Sequence, residues 1–221
     1  MDSQQLAGGL LLYMMLVVLL TLHELGHAWT ALKCGDDTAY LQGRVSLNPL
    51  VHIDPIGTVL LPLLAIFGPA GIGRFFIGWA KPVPVNPYNL RRPRLDDILV
   101  TLAGPGMNLI VAVLLVALAR VFILFHFWDL TPMLLKMADL SLLLCFFNLL
   151  IPIPPLDGSQ IMRVLTGMSM ETYAQLARWG FIIVIALLWI PDVRIFLTFV
   201  TEGTLALIVF CFGFPPLISA N

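Results

Sequence analysis

Charged residues are scarce in this sequence: Asp, Glu, Lys and Arg make up only 11% of the 221 residues. Soluble domains carry about 25% charged residues, so this chain has too little charge to cover a water-facing surface. A formal net charge of −1 also argues against a nucleic-acid partner, because phosphate binding needs an excess of Lys and Arg. Internal repeats and low-complexity stretches are missing too, so neither a repeat array nor a biased linker is expected.

Cysteine is equally scarce, and its placement excludes two common uses. Cys34, Cys145 and Cys211 lie far apart in the sequence and form neither a disulfide framework nor a CxxC zinc site. The opening residues, MDSQQLAGG, lack the basic start of a signal peptide, and no small-residue cleavage site follows the first apolar run. We therefore expect that first run to be retained as a helix.

Apolar residues dominate instead, at 59% of the chain with a mean hydropathy of +0.95. A transmembrane helix needs about 20 mainly apolar residues. The sequence therefore predicts an all-α polytopic membrane protein that lies in a lipid bilayer. Its five candidate spans are residues 7–32, 97–125, 134–151, 175–190 and 195–214.

A sixth apolar stretch, at 56–79, differs from these spans in its Gly and Pro content. It reads IGTVLLPLLAIFGPAGIGRFFIGW and also carries Arg74. Proline and glycine interrupt regular helices, and irregular backbone in a membrane must be buried in protein or line a cavity. We therefore expect a re-entrant element here. The polar, Pro-rich residues 80–97 that follow indicate a loop or interfacial segment.

The most informative motif is HELGH at 23–27, directly after the first apolar run. In a helix, His23 and His27 project from one face and can bind one Zn²⁺. Glu24 lies beside them and can take a proton from a water that zinc has acidified. Ionisable groups within a membrane segment are rare and costly, which favours a functional reading. The alternative is a helix end whose polar side chains face water or lipid head groups.

A catalytic zinc usually has three protein ligands, so a third must come from elsewhere. The other histidines, His52 and His126, are candidates, as are Asp and Glu residues. Asp157 stands out because it follows the proline-broken segment IPIPPL in a part of the chain that should be buried or line a cavity. Spacing alone leaves open whether Asp157 is a ligand or simply part of an Asp-Gly turn.

Together these motifs resemble the site-2 protease family of intramembrane zinc metalloproteases. HELGH, AGPGMN at 103–108 and NLLIPIPPLDG at 148–158 occur in the order typical of the family. HIDPIGT at 52–58 and GWAKPVPVNP at 78–87 resemble a compact prokaryotic branch without a PDZ or CBS domain. One departure is an extra residue between Asn148 and Pro152 relative to the usual NxxPxPxLDG.

The resemblance implies His23, His27 and Asp157 as zinc ligands and Glu24 as the general base. It further implies that Asn148 binds substrate or stabilises the oxyanion, and it favours a site role for Asn108. The implied organisation is a single integral-membrane metalloprotease domain over 1–221. Its catalytic core lies at about 7–160, and further transmembrane helices lie at about 175–214. The implied partner is a membrane-spanning protein or peptide substrate.

Topology supports the re-entrant reading of 56–79. If this segment crossed the bilayer once, the spans before HELGH and before Asp157 would be antiparallel, and the ligands would fall toward opposite faces. Residues 33–95 carry seven of the twelve Lys and Arg residues, so the positive-inside rule makes this segment cytoplasmic. The predicted location is the prokaryotic cell (inner) membrane, with the zinc site nearer the cytoplasmic face.

Rival interpretations also fit part of the sequence. Intramembrane His and carboxylate residues line ion pathways, so a metal-ion carrier or sensor is one alternative. A non-catalytic relative acting as a membrane scaffold is another, and a zinc hydrolase acting on small amphiphiles is a third. His52 is expected to be a local hydrogen-bonding group, an outer partner that hydrogen-bonds to a site residue, or a gate. His126 is expected to lie at the membrane interface with Trp128.

Overall fold

A computed structural model of the protein describes residues 3–67 and 78–214, which form helices joined by loops, with no β-strand within those two ranges. Five helical segments are long and apolar enough to cross a membrane: Ser3–Cys34, Pro93–Leu124, Trp128–Leu150, Met170–Leu188 and Pro191–Cys211. This confirms the predicted all-α fold and its five spans, with bounds shifted by a few residues. The α-helices are α1 Ser3–Cys34, α2 Thr38–Leu41, α3 Leu61–Phe67, α4 Pro93–Leu124, α5 Thr131–Leu150, α6 Asp157–Thr166, α7 Met170–Leu188 and α8 Pro191–Cys211.

The chain divides into two compact units, Met1–Gly104 and Pro105–Asn221, and the boundary falls inside α4. The first unit contains α1 to α3 and the start of α4. The second unit contains the rest of α4 and α5 to α8. The predicted single domain over 1–221 stays a prediction.

In the first unit, the element predicted to be re-entrant starts and ends at one place. A π-helical turn, Pro55–Leu60, leads into α3, and the Asp54 side chain caps it by accepting from the Ile56 and Gly57 N–H groups at 3.0 and 2.6 Å. The chain comes back at Trp79, whose N–H donates to the Gly57 carbonyl at 3.2 Å. The two ends of the stretch are therefore hydrogen-bonded to each other, and its re-entrant path stays a prediction. Residues 68–77, within the predicted stretch, lie outside the described residues.

Asp36 ties the loop after α1 to the segment before α4. Its fully buried carboxylate accepts from the Thr38 N–H at 3.1 Å, the Asn86 N–H at 2.7 Å and the Asn89 side-chain amide at 3.0 Å. Burial alone would raise the pKa of Asp36, but the hydrogen bonds from Thr38, Asn86 and Asn89 outweigh it and hold the pKa below its ordinary value. The folded protein therefore favours the charged carboxylate.

Replacing Asp36 with Asn is expected to destabilise the protein by about 2 kcal/mol, because buried donors lose a charged acceptor. That loss corresponds to a fall in Tm of about 4–8 °C for a protein of this size. A lowered folded pKa means that the stabilisation is fully present above about pH 4, the pKa of an unfolded Asp, and is lost as the pH falls through the folded pKa. Thermal unfolding in detergent at several pH values would measure both effects.

Asp37 provides the matched control, since it is exposed and its side chain makes no capping bond. Asp37→Asn should leave Tm unchanged. Equal Tm values for Asp36→Asn and native protein at pH 7, or a gap that widens on acidification, would contradict the assignment.

In the second unit, α5 packs on α8 around a core of small and branched side chains that includes Ala112, Val116, Ala138 and Leu142. The chain then breaks at the prolines: α5 ends at Leu150 and α6 begins at Asp157. Gly180 of α7 lies against the main chain of Pro154, where a Cβ atom would collide with it. The connection is therefore buried against a helix at Pro154, as irregular backbone in a membrane requires.

Candidate metal centre

The two histidines of HELGH face each other on α1. His23 and His27 are one turn apart, and their Nε2 atoms are separated by 3.1 Å. His23 is 4% exposed, so its imidazole lies in the protein interior rather than in lipid. Zinc bonds histidine nitrogens at about 2.0–2.1 Å, which places two nitrogens of a tetrahedral site about 3.3 Å apart. The observed separation fits two ligands of one zinc ion.

A carbonyl from α4 fixes the proton on His27. The Nδ1 atom of His27 lies 2.7 Å from the Val100 carbonyl oxygen. Because a carbonyl can only accept, Nδ1 carries the hydrogen and donates it, which leaves the lone pair on Nε2. Metal-bound histidines almost always donate their second nitrogen in this way, and the bond also orients the ring.

Gly104 leaves room for the imidazole nitrogens where α4 passes α1. A Cβ atom on Gly104 would lie 2.7 Å from His23 Nε2 and still closer to His27 Nε2. Even alanine would therefore place a methyl group against both nitrogens. Glycine at this position keeps open a small space that a metal ion would fill, and the donor set facing it suits zinc.

Glu24 lies between the two histidines in sequence and is also buried, at 8% exposure. One of its carboxylate oxygens, Oε2, accepts from the Val83 N–H at 3.0 Å. A buried carboxylate needs such a donor, because removing a charge from water is costly when it is unpaired. This hydrogen bond uses Oε2 only, so the other carboxylate oxygen, Oε1, can take part in proton transfer.

A buried arginine approaches the same region. Arg44 is 4% exposed, and its guanidinium donates to the carbonyls of Lys81 and Pro82. Burial lowers the pKa of Arg44, and the negative charge of Glu24 opposes that shift. Since arginine remains protonated even so, the first unit holds a buried cation that interacts electrostatically with a buried carboxylate.

The predicted third ligand, Asp157, is the first residue of α6 and is half-buried. The Asp-Gly pair therefore opens a helix, and an acidic side chain is favourable in that first turn. Gly158 is required for close packing, since a Cβ atom there would meet the carbonyls of Leu149 and Ile151. Asp157 and Gly158 are thus held against the end of α5.

The two asparagines lie in the second unit, on α5 and α4. Asn148 donates its side-chain N–H to the Leu144 carbonyl of its own helix at 2.9 Å. Asn108 is fully buried, and its main-chain carbonyl accepts from the Ser141 hydroxyl at 2.8 Å, which links α4 to α5. The main chain of Asn108 therefore links two helices, and the site role that the resemblance favours for its side chain stays a prediction.

The other two histidines, His52 and His126, make local contacts with residues outside HELGH. His52 is 2% exposed, and its Nε2 lies 2.9 Å from the Ser46 carbonyl, to which it donates. His126 lies two residues after the end of α4 in the left-handed conformation, with φ of 63°, and its ring lies 6.2 Å from that of Trp128. His52 fits the expected local hydrogen-bonding group, and His126 lies beside Trp128 as expected.

Sequence reasoning missed three contributors to the region around HELGH: the Val100 carbonyl, the Val83 N–H and Arg44. Almost every residue type has a main-chain carbonyl and N–H group, so residue type did not point to the Val100 carbonyl or the Val83 N–H. Arg44 was counted only as one of the positive charges in 33–95. Gly104 did have a signal, because it lies in the AGPGMN segment at 103–108, but that segment entered the sequence analysis only through the family resemblance.

Comparison with known proteins identifies the family of the chain. Peptidase family M50 matches residues 11–129. "Putative zinc metalloprotease YwhC" of Bacillus subtilis (strain 168) is 40% identical over 184 residues, covering 80% of this chain and 78% of the relative. "Putative zinc metalloprotease Rip2" of Mycolicibacterium smegmatis is 38% identical over 180 residues, covering 78% of this chain and 64% of that protein. The Rip2 protein of Mycobacterium tuberculosis is 38% identical over 142 residues, or 52% of its length. No solved structure matches the chain.

His23 and His27 are spaced to bind one zinc ion and lie on a helix long enough to cross a membrane. These features are typical of integral membrane zinc metalloproteases. Within that class, the chain belongs to peptidase family M50, the site-2 protease family. The family is zinc-dependent, so zinc is the cofactor of this chain.

Proposed function

We propose that the protein is an intramembrane endopeptidase that hydrolyses peptide bonds in the membrane-spanning segments of other proteins. The observation that carries the proposal is the pairing of His23 and His27, with Nε2 atoms 3.1 Å apart on a membrane-length helix, next to the buried carboxylate of Glu24. A buried acid and two imidazoles are costly in a membrane segment unless they serve a function.

In this proposal, His23, His27 and Asp157 hold the zinc ion. The two histidines are supported by their spacing, by the proton fixed on His27 Nδ1 and by the space that Gly104 leaves. Asp157 is supported by its place in LDG and by its rigid support at the start of α6. Two imidazoles and one carboxylate are an established donor set for catalytic zinc.

When bound, zinc supplies a Lewis acid that acidifies a water and polarises a peptide carbonyl. Glu24 acts as the general base. The oxygen that Val83 does not engage takes the proton from the water, and the same carboxyl group then passes it to the leaving amine. Because the Val83 N–H holds the other oxygen, the carboxylate is oriented before substrate arrives, which lowers the cost of reaching the reactive geometry.

The substrate must be locally unwound, because the carbonyls of an intact helix are hydrogen-bonded and sterically covered. Asn148 is proposed to bind the unwound chain. Its amide has two N–H groups and one oxygen, and only one N–H is used in the bond to Leu144. Asn108 is proposed to support the site indirectly, through the α4–α5 link to Ser141.

The proposed orientation places the metal centre nearer the cytoplasmic face of the cell membrane. The basic residues of 33–95 follow directly after HELGH, and positive loops are retained on the cytoplasmic side. HELGH also lies in the last third of α1, toward that loop. Water for hydrolysis then has a short path from the cytoplasm.

Asp157→Ala tests the ligand set and the activity together. We expect zinc affinity to fall at least about 100-fold, since even the outer partners of metal ligands contribute 10–100-fold. Cleavage of single-span membrane peptides should fall to background. Zinc content and cleavage of a peptide panel would be measured on purified native and variant protein in detergent.

Asp129→Ala is the control, because Asp129 lies exposed in the turn before α5. It should bind zinc and cleave as the native protein does. Native zinc binding by Asp157→Ala would show that another residue completes the site. Stoichiometric zinc in the native protein without cleavage of any peptide would favour the metal carrier or sensor over the protease.

A further inference from the structure

Residues 78–86 form a segment without regular secondary structure that is anchored by hydrogen bonds along its length. The Lys81 N–H donates to the His52 carbonyl at 2.8 Å, and the Asn86 N–H donates to Asp36 at 2.7 Å. Between these anchors, the Val83 N–H donates to Glu24 Oε2. The segment therefore passes beside the proposed general base and contacts it through its main chain.

The sequence of this segment restricts which groups can make that contact. Pro82 and Pro84 have no N–H, so Val83 supplies the only main-chain donor within residues 82–84. A shift of the segment by one residue would bring a proline to Glu24 and leave its Oε2 without this donor. The contact consequently depends on a fixed register.

Arg44 is the side chain that fixes the register from the outside. Its terminal nitrogen donates both to the Lys81 carbonyl and to the Pro82 carbonyl, the latter at 3.3 Å. These are the two residues directly before Val83. A guanidinium that is only 4% exposed is costly to bury, and the hydrogen bonds of its terminal nitrogen go to two main-chain carbonyls.

We propose that Arg44 is a positioning residue for catalysis, which clamps Lys81 and Pro82 so that the Val83 N–H holds Glu24 in place. The inference rests on the proposed function, because it assigns a purpose to the clamp in orienting the general base. Arg44 does not touch substrate or metal in this scheme. It acts through two carbonyls and one N–H group.

Hydrogen exchange tests the clamp without any need for activity. In native protein and in Arg44→Gln, exchange at the Lys81 and Val83 amides would be followed by mass spectrometry. The neighbouring prolines carry no amide hydrogen, so a peptide covering 80–85 reports on very few sites. We expect exchange in this peptide to be at least about 10-fold faster in Arg44→Gln, since loss of the clamp allows local opening. Arg94→Gln, at an exposed arginine, should match the native protein.

Kinetics test the consequence for catalysis. Arg44→Gln should lower kcat by about 10- to 100-fold, the scale of general-base effects, with KM and zinc content unchanged. Arg44→Lys keeps the charge but lacks the planar fork, so it should lie between Gln and native. Val83→Pro removes the donor to Glu24 and should reproduce the loss in kcat, whereas Val83→Ala keeps the N–H and should not.

The kcat of a double variant distinguishes a positioning role of Arg44 from a general loss of structure. If Arg44 acts through Val83, the Arg44→Gln, Val83→Pro double variant should be no slower than Val83→Pro alone. Unchanged exchange at 80–85 in Arg44→Gln, unchanged kcat despite faster exchange, or multiplying losses in the double variant would each overturn the inference. Native protein that cleaves no peptide would refute the proposed function instead, while the exchange comparison would still decide whether the clamp exists. Should Arg44→Gln fail to fold, the comparison of Val83→Pro with Val83→Ala carries the same test.

Discussion

Replacing Gly104 with alanine is expected to remove zinc from the protein while leaving its helices intact. The new methyl group would lie against the Nε2 atoms of His23 and His27, in the space that a metal ion would fill. We expect zinc affinity to fall at least about 100-fold, by analogy with the cost of disturbing ligand geometry. Equilibrium competition with a chromogenic chelator would measure the loss.

Gly106→Ala is the matched control for this prediction. Gly106 lies two residues along in the same helix, and a Cβ atom there meets nothing within 4 Å. Both substitutions raise helix propensity by about 1 kcal/mol, so a weakened helix does not explain a loss of zinc. Zinc binding by Gly104→Ala equal to that of Gly106→Ala would mean that the metal lies elsewhere.

Glu24→Gln should abolish cleavage and retain zinc. The change keeps the size of the side chain and an oxygen that accepts from Val83, but it removes the group that takes the proton. We expect kcat to fall by about 10²- to 10⁴-fold, the range for loss of a general base. Zinc content and cleavage of a membrane peptide, measured on the same preparation, would separate chemistry from metal binding.

The chain has only three Glu residues, and Glu171 supplies the control because it is exposed in the first turn of α7. Glu171→Gln should cleave as the native protein does. Activity in Glu24→Gln within a few-fold of native would assign the proton transfer to another group.

The spans and the histidine pair could be predicted because both depend on local pattern. Twenty apolar residues need a helix to satisfy their backbone in lipid, so length and composition alone located α1, α4, α5, α7 and α8. His23 and His27 share a face because a helix turns once in 3.6 residues. The spacing within HELGH was therefore enough to predict that the two imidazoles lie side by side.

The support around that pair could not be predicted, because it comes from residues distant in sequence. His27 is oriented by the main chain of Val100, and Glu24 by the main chain of Val83. Any residue type except proline supplies the same N–H, and every residue supplies the same carbonyl, so the sequence carries no mark of these partners. Helix α6 was missed for a different reason: Asp-Gly after prolines is typical of a turn as well as of a helix start.

The bond between His27 and Val100 also has a consequence for biogenesis. The two residues are 73 positions apart, so the ribosome finishes α1 well before it makes the carbonyl that His27 needs. At about 5–20 residues per second, that interval is roughly 4–15 s. During this time the nascent α1 must remain in or beside the membrane with its imidazoles and Glu24 not yet supported by α4. The apolar run before HELGH therefore holds the nascent α1 in the membrane until α4 has been synthesised. The metal centre is consequently assembled in steps that follow the order of synthesis.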